Sequence, residues 1–299
     1  MSSSTLRSRS RVEPSKSTTN QDNIGSNDSY LIPAPYTLPV SYFSVVGVHT
    51  TLWAFTALYL PRSTFLTDIT TPEWDESQLS SRDRPQHPFL EALTRSPTST
   101  LVCICAGALL LQGWWAGWLR DLWLEMNLRG TEDERRVQRA SYRNKKVTAF
   151  RESLVLTLAA SIAIHIILIA FGAPITSYIL KTYLLALLLA IMTVYAPAYV
   201  IGVPLGSSNL SVVKRWTWLR LFVELSPRTP VERALVYPAV GTVVGCWLGI
   251  IPIALDWDRP WQAWPLTPAF AAIGGYIISS LSALTVNALV QLGSGNNIA

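Results

Sequence analysis

Six charge-free, mainly apolar runs stand out along the chain, at approximately 38 to 60, 98 to 119, 153 to 172, 182 to 203, 234 to 255 and 266 to 288. A helix of about 20 residues rises some 30 Å, enough to cross the hydrocarbon layer of a bilayer. The third run is the clearest, with a single His inside. The first is the weakest, because Ser41, His49, Thr50 and Thr51 lower its hydropathy, yet Pro39 and Pro61 bracket a stretch without charge. Local start signals fall at several boundaries. Thr229-Pro230-Val231-Glu232 has the form of a capping box with proline at the first helical position, and Ser96-Pro97 and Thr267-Pro268 repeat the cap-then-proline pattern.

Composition agrees with a membrane protein. Hydrophobic residues make up 49% of the chain and charged residues only 14%, against roughly 25% charged in an average soluble domain. The expected fold is an all-α membrane domain of six transmembrane helices over 38–299. Residues 1–37 are rich in Ser, Thr and Asn, carry Arg7, Arg9, Arg11 and Lys16, and have no apolar run. They are expected to form a disordered tail.

Charge sets the orientation. Counting Lys and Arg on the two sides of six spans gives eighteen on the side of both termini and six on the other, so both termini are expected in the cytosol. The net charge of +5 is thereby explained by topogenic residues beside the spans, and no nucleic-acid motif accompanies it. The sequons Asn27-Asp28-Ser29 and Asn209-Leu210-Ser211 would lie on the cytosolic side and stay unmodified. Cys103, Cys105 and Cys246 all fall inside spans, where they act as small apolar packing residues.

The fifth and sixth spans are joined by a short link, Asp256-Trp257-Asp258-Arg259-Pro260-Trp261-Gln262-Ala263-Trp264-Pro265, which holds three of the chain's twelve Trp. It is too short to fold alone, so its rings should rest at headgroup depth on the side opposite the termini. The residues leave several readings open. Arg259 can pair with a carboxylate as a charged anchor. The prolines and tryptophans can form a rigid aromatic turn. Asp256 and Asp258 can serve as metal ligands or as an acid and base pair, which would make the chain an enzyme acting on a lipid headgroup.

Gly241, Gly245 and Gly249 recur every four residues on one face of the fifth span and permit close approach of another backbone. Gly274 and Gly275 add to this in the sixth. That surface serves internal packing or a partner's transmembrane helix. His165, in the middle of the third span, is an ionisable group in lipid and so a functional suspect; hydrogen bonding between helices and proton transfer are its two readings. Thr131-Glu132-Asp133-Glu134 should cap a short basic helix through Arg135, Arg136, Arg139 and Arg143. Lys214, Arg215, Trp216, Trp218 and Arg220 indicate an amphipathic segment on the membrane surface, facing lipid headgroups.

Several of these residues carry a resemblance. Gly245-Cys246-Trp247-Leu248-Gly249, Pro252-Ile253, the block Asp256 to Pro265 and Gly274-Gly275-Tyr276 together resemble the signature of the PIG-F family in its fungal form. His165 ahead of Gly172-Ala173-Pro174 is similar to a second pattern of that family. The likeness covers residues 160 to 280 best. It implies a non-catalytic subunit, without cofactor or metal, that binds and stabilises ethanolamine phosphate transferases of glycosylphosphatidylinositol (GPI) anchor assembly in the endoplasmic reticulum membrane. The implied partners are the large catalytic subunits of the PIG-O and PIG-G type, which would hold the metal ions and transfer ethanolamine phosphate to a GPI mannose.

Overall fold

The computed structural model describes residues 38–62, 88–128, 130–205, 209–255, 257 and 259–296. The tail expected over 1–37 lies outside them. Among the described residues the regular structure is helical throughout. Six segments are long and apolar enough to cross a membrane: Val40–Arg62, Pro97–Asn127, Lys146–Ala170, Ile179–Ile201, Pro230–Ala254 and Leu266–Gly293. They fall where the apolar runs put them, and are called first to sixth span below.

The helices outrun the hydrocarbon-length stretches. The second continues past Leu119 to Asn127 and the third begins at Lys146 rather than Ser153. Arg120, Asp121 and Glu125 extend the second, and Arg151 and Glu152 open the third. Charge bars a residue from lipid but not from a helix, and backbone bonding carries on into the headgroup layer. The cap signals mostly locate the starts. Ser96 accepts from the Ser99 amide, and Thr131–Glu134 and Thr229–Glu232 both close as capping boxes. The sixth span departs from this: its helix begins at Leu266, which puts Thr267 inside the first turn, its hydroxyl buried without a partner.

Among the described residues three shorter α-helices lie outside the spans. Pro88–Thr94 precedes the second span, Glu132–Asn144 follows it, and Asn209–Phe222 lies between the fourth and fifth. The Glu132–Asn144 helix has no buried residue, as expected of a charged helix at the surface.

The fourth span is the axis of the bundle, with 78% of its apolar window buried, whereas the third has 17% and lies at the periphery. A π turn at Ile191–Tyr195 interrupts the fourth just before Pro197. Proline has no amide hydrogen to return to the preceding turn, and widening that turn accommodates it. Two apolar clusters fill the interior. One, at the end of the tryptophan link, includes Trp53, Leu101, Ile104, Leu188, Ile273 and Tyr276. The other, toward the opposite end, includes Tyr42, Trp115, Leu119, Tyr195, Val231 and Leu235. Lipid is as apolar as these side chains, so helix association rests on close packing and on buried polar contacts.

Candidate partner-binding site

The link between the fifth and sixth spans is organised by Gln262. The main helix of the fifth span closes at Leu248, and the span ends in a single turn, Ile251–Ala254. The chain then reverses through a 3-10 turn at Pro260–Gln262. The Gln262 side-chain amide donates to the Pro252 and Leu255 carbonyls, each at 2.7 Å, and its oxygen accepts from the Arg259 amide at 2.7 Å. One side chain thus ties the outgoing helix end to the returning turn, meeting carbonyls that also accept from the Leu255 and Trp257 amides. Trp264 pins the link to the bundle, its indole N–H donating to the hydroxyl of fully buried Thr182 in the fourth span at 3.0 Å. The peptide bond between Trp264 and Pro265 is cis, and the sixth span starts immediately after it.

Trp257 and Trp261 meet edge to face, 5.7 Å between centroids. Trp257 is 53% exposed. It stands outward while Gln262 and Trp264 hold the turn behind it. Asp256 and Asp258 lie outside the described residues, and with them any pairing to Arg259 and any acid and base role.

The glycine face of the fifth span is occupied by the sixth. A side chain on Gly245 would run into the Ala271 carbonyl, and one on Gly241 into Ser279 and the Gly275 carbonyl. On Gly249 it would come within 2.7 Å of the Pro268 Cα and the Ala271 Cβ. Gly275 faces the Gly241 carbonyl in return. A partner's helix therefore cannot use this face, and the fifth span offers only its other side, where Val243 and Trp247 are exposed. Gly274 corrects the sequence reading: a Cβ there would meet nothing within 4 Å. It lies one helical step, about 100°, from Gly275, off the seam.

His165 is similarly displaced from the centre. It is half-buried between the third and fourth spans, edge-on to Tyr183 at 5.9 Å, with its Nδ1 buried and without a partner. The histidine at the heart of the bundle is His49, which is fully buried. Its Nε2 accepts from the Trp53 indole at 3.2 Å, and its ring stacks on Trp115 at 4.5 Å and 10°. Gln112, also fully buried, belongs to the same interior. His165 is thus joined inside the bundle by a second, more deeply buried imidazole, which the sequence showed only as a residue lowering the hydropathy of the first run. His49 sits in the run of lowest apolar content, and its polar neighbours masked how deeply that helix packs.

The end opposite the link carries contacts that spacing did not indicate. Glu232, 3% exposed, takes a two-pronged pair from Arg220 at 2.6 and 3.1 Å and accepts from the Arg228 and Thr229 amides. The Glu232 hydrogen bond pushes the Arg220 pKa above its ordinary value. Arg233 donates to Asn287, which donates to the Tyr42 hydroxyl and the Pro230 carbonyl, joining first, fifth and sixth spans. Arg120, 4% exposed, donates to the Tyr199 carbonyl at 3.0 Å and lies over the Tyr142 and Tyr199 rings at 4.4 and 4.8 Å. Burial pushes the Tyr142 hydroxyl pKa up, against the pull of the Arg120 charge. The available signal was Arg120 itself, a cation one residue beyond an apolar run.

Among the described residues no group of three His, Cys, Asp or Glu is placed to hold a metal ion.

Comparison with known proteins adds a family to this geometry. No solved structure matches the chain. It is 33% identical over 132 residues to a Homo sapiens protein named GPI ethanolamine phosphate transferase, stabilizing subunit, covering 44% of this chain and 56% of that protein. It is 36% identical over 134 residues to glycosylphosphatidylinositol anchor biosynthesis protein 11 of Pyricularia oryzae, covering 45% of this chain and 46% of that one. The chain thus spans about half the length of the curated relatives it matches. Residues 86–284, more than half of the chain, match the family described as GPI biosynthesis protein family Pig-F. The match takes in the second to fifth spans, the tryptophan link and most of the sixth, and the chain belongs to the PIG-F family of GPI biosynthesis proteins.

Proposed function

We propose that this chain is a non-catalytic membrane subunit that binds and stabilises a GPI ethanolamine phosphate transferase. The observation that carries the reading is the family match together with the human relative, whose name is that of a stabilizing subunit of this transferase. The fold supports it, since the bundle sets a rigid, aromatic surface at one membrane face. Trp257 stands exposed on a turn that Gln262 and Trp264 hold in place. A surface fixed before binding loses little conformational entropy when a partner docks on it.

On this reading the partners are large catalytic subunits of the PIG-O and PIG-G type, and the site is the endoplasmic reticulum membrane. Both termini face the cytosol, and the tryptophan link faces the lumen beneath the partner's catalytic domain. Contact with the partner's transmembrane helices uses the outer side of the fifth span at Trp247, because its glycine side is filled by the sixth span. A subunit that binds only the folded partner stabilises it by about 2.7 kcal/mol when present at a hundred times its dissociation constant. Loss of this chain should therefore lower the partner's abundance rather than its chemistry.

The test is copurification of the tagged chain from native membranes in mild detergent, with mass spectrometry of what accompanies it. A large ethanolamine phosphate transferase should come with it. Recovery of the chain alone, with turnover of a phosphatidylethanolamine donor by that preparation, would replace the subunit reading with an enzymatic one.

A further inference from the structure

At the link end a groove of about 540 Å³ opens between the end of the first span, the short helix Pro88–Thr94, the end of the fifth span and the start of the sixth. Leu58, Leu90, Leu93, Leu248, Trp261 and Phe270 line it. On its wall the Thr267 hydroxyl is buried without a partner. The mouth is basic. Exposed Arg62 lies over the Phe89 ring at 4.4 Å, beside groove-lining Leu90. Exposed Arg95 follows groove-lining Thr94, and Arg259 opens the turn that holds Trp261. Glu91 is the acidic group on the same short helix. Among the described residues none of these three arginines joins an ion pair.

An apolar hollow of this size forfeits dispersion contacts along its whole lining if left empty, and water gains nothing from an aliphatic wall. Its volume lies within the roughly 300 to 1,000 Å³ usual for small-molecule sites. The neighbouring Trp257 and Trp261 set its mouth at headgroup depth. A purely apolar helix from another protein would fill the hollow but leave the cations at its rim unused. An amphiphile with an apolar tail and a phosphodiester head satisfies both, because guanidinium and phosphate form strong charge-assisted hydrogen bonds.

We propose that this groove is a phospholipid site, in which one acyl chain lies against Leu93 and Phe270 and the phosphodiester is met by Arg62 and Arg95. The occupant comes from the leaflet on the link side of the membrane. This site belongs to the chain alone and does not rest on its being a subunit.

The purified full chain, reconstituted in phosphatidylcholine vesicles with a trace of phosphatidylcholine carrying a diazirine at the end of one acyl chain, provides the test. After irradiation, labelled peptides are mapped by mass spectrometry. Label should concentrate on peptides containing Leu93 and Phe270, several-fold above the peripheral third span. Leu90→Trp should cut groove labelling at least fivefold while third-span labelling, an internal measure of folding, stays unchanged. Arg62→Gln with Arg95→Gln, confined to exposed side chains, should cut labelling by the phosphatidylcholine probe but not by the matching uncharged diacylglycerol. Equal labelling of groove and third span would overturn the proposal, as would indifference to Leu90→Trp or an equal effect of the arginine changes on both probes. Groove peptides that react only when a copurified protein is stripped away, and then no more than the third span, would assign the hollow to a protein partner instead.

Discussion

The two ends of the bundle are closed by different chemistry. Among the described residues the link end is closed by neutral groups: the Gln262 amide bridges two backbone carbonyls and the Trp264 indole reaches Thr182. At the opposite end the closure is ionic. Arg220 and Glu232 pair at 2.6 Å beneath the start of the fifth span, and Arg233, Asn287 and Tyr42 connect three spans through side chains. A neutral hydrogen bond costs little to rearrange, while a desolvated charge left without its partner is heavily penalised. The ionic end should thus govern stability, and on the proposed function the neutral end is the one suited to meet another protein.

The largest effect expected from breaking this contrast is at Glu232. Glu232→Gln leaves Arg220 without its counter-charge and should destabilise the purified protein by about 3 kcal/mol, read as a lower midpoint of thermal unfolding in detergent. The fraction that remains folded should still bind the transferase. A change of less than 1 kcal/mol would mean that solvent screens the pair and that the two ends are alike.

The seam between the fifth and sixth spans belongs to neither end and supplies the middle of the scale. Gly245→Val drives a side chain into the Ala271 carbonyl and should cost about 2 kcal/mol through overpacking. Gly274→Ala faces open space and should be neutral or stabilising by up to about 1 kcal/mol, since alanine is the better helix former. Equal effects of the two substitutions, measured by the same unfolding midpoint, would contradict the placement of the seam.

The smallest destabilisation is expected at Gln262. Gln262→Ala should cost about 1 kcal/mol, because the carbonyls it releases lie near the membrane surface within reach of water. Recovery of the transferase with the chain should nevertheless fall at least tenfold, because Trp257 and Trp261 lose their fixed setting. A variant that unfolds readily yet keeps its partner would reverse the assignment of roles to the two ends.

These contrasts were unequally legible in the sequence. All six spans could be placed, because 20 charge-free residues in a row is a signal that tertiary context rarely overrides. Thr229 and Glu232 could be recognised as a capping box because both partners lie within one helical turn. The second duty of Glu232, twelve residues from Arg220, was not visible: the intervening loop could return Arg220 anywhere along the helix end. The glycine spacing at 241, 245 and 249 showed a face for close approach but not which helix fills it, since any backbone would fit. Hydropathy pointed away from His49 by averaging a buried polar face with a lipid-facing one, and it drew attention to His165, whose neighbours are uniformly apolar but mostly exposed. Trp257, Trp261 and Trp264 signalled an interfacial link, yet the Gln262 bonds that tie its turn to the helix end were not visible in the spacing.

The most direct measurement is the amount of transferase recovered per folded molecule of this chain, compared between Gln262→Ala and Glu232→Gln purified from the same membranes. The account predicts that Gln262→Ala lowers this ratio at least tenfold while its folded yield stays near wild type. Glu232→Gln should lower the folded yield and leave the ratio intact. If Gln262→Ala kept the full ratio, or if both variants lost yield and partner in parallel, the tryptophan link would not be the surface that grips the transferase.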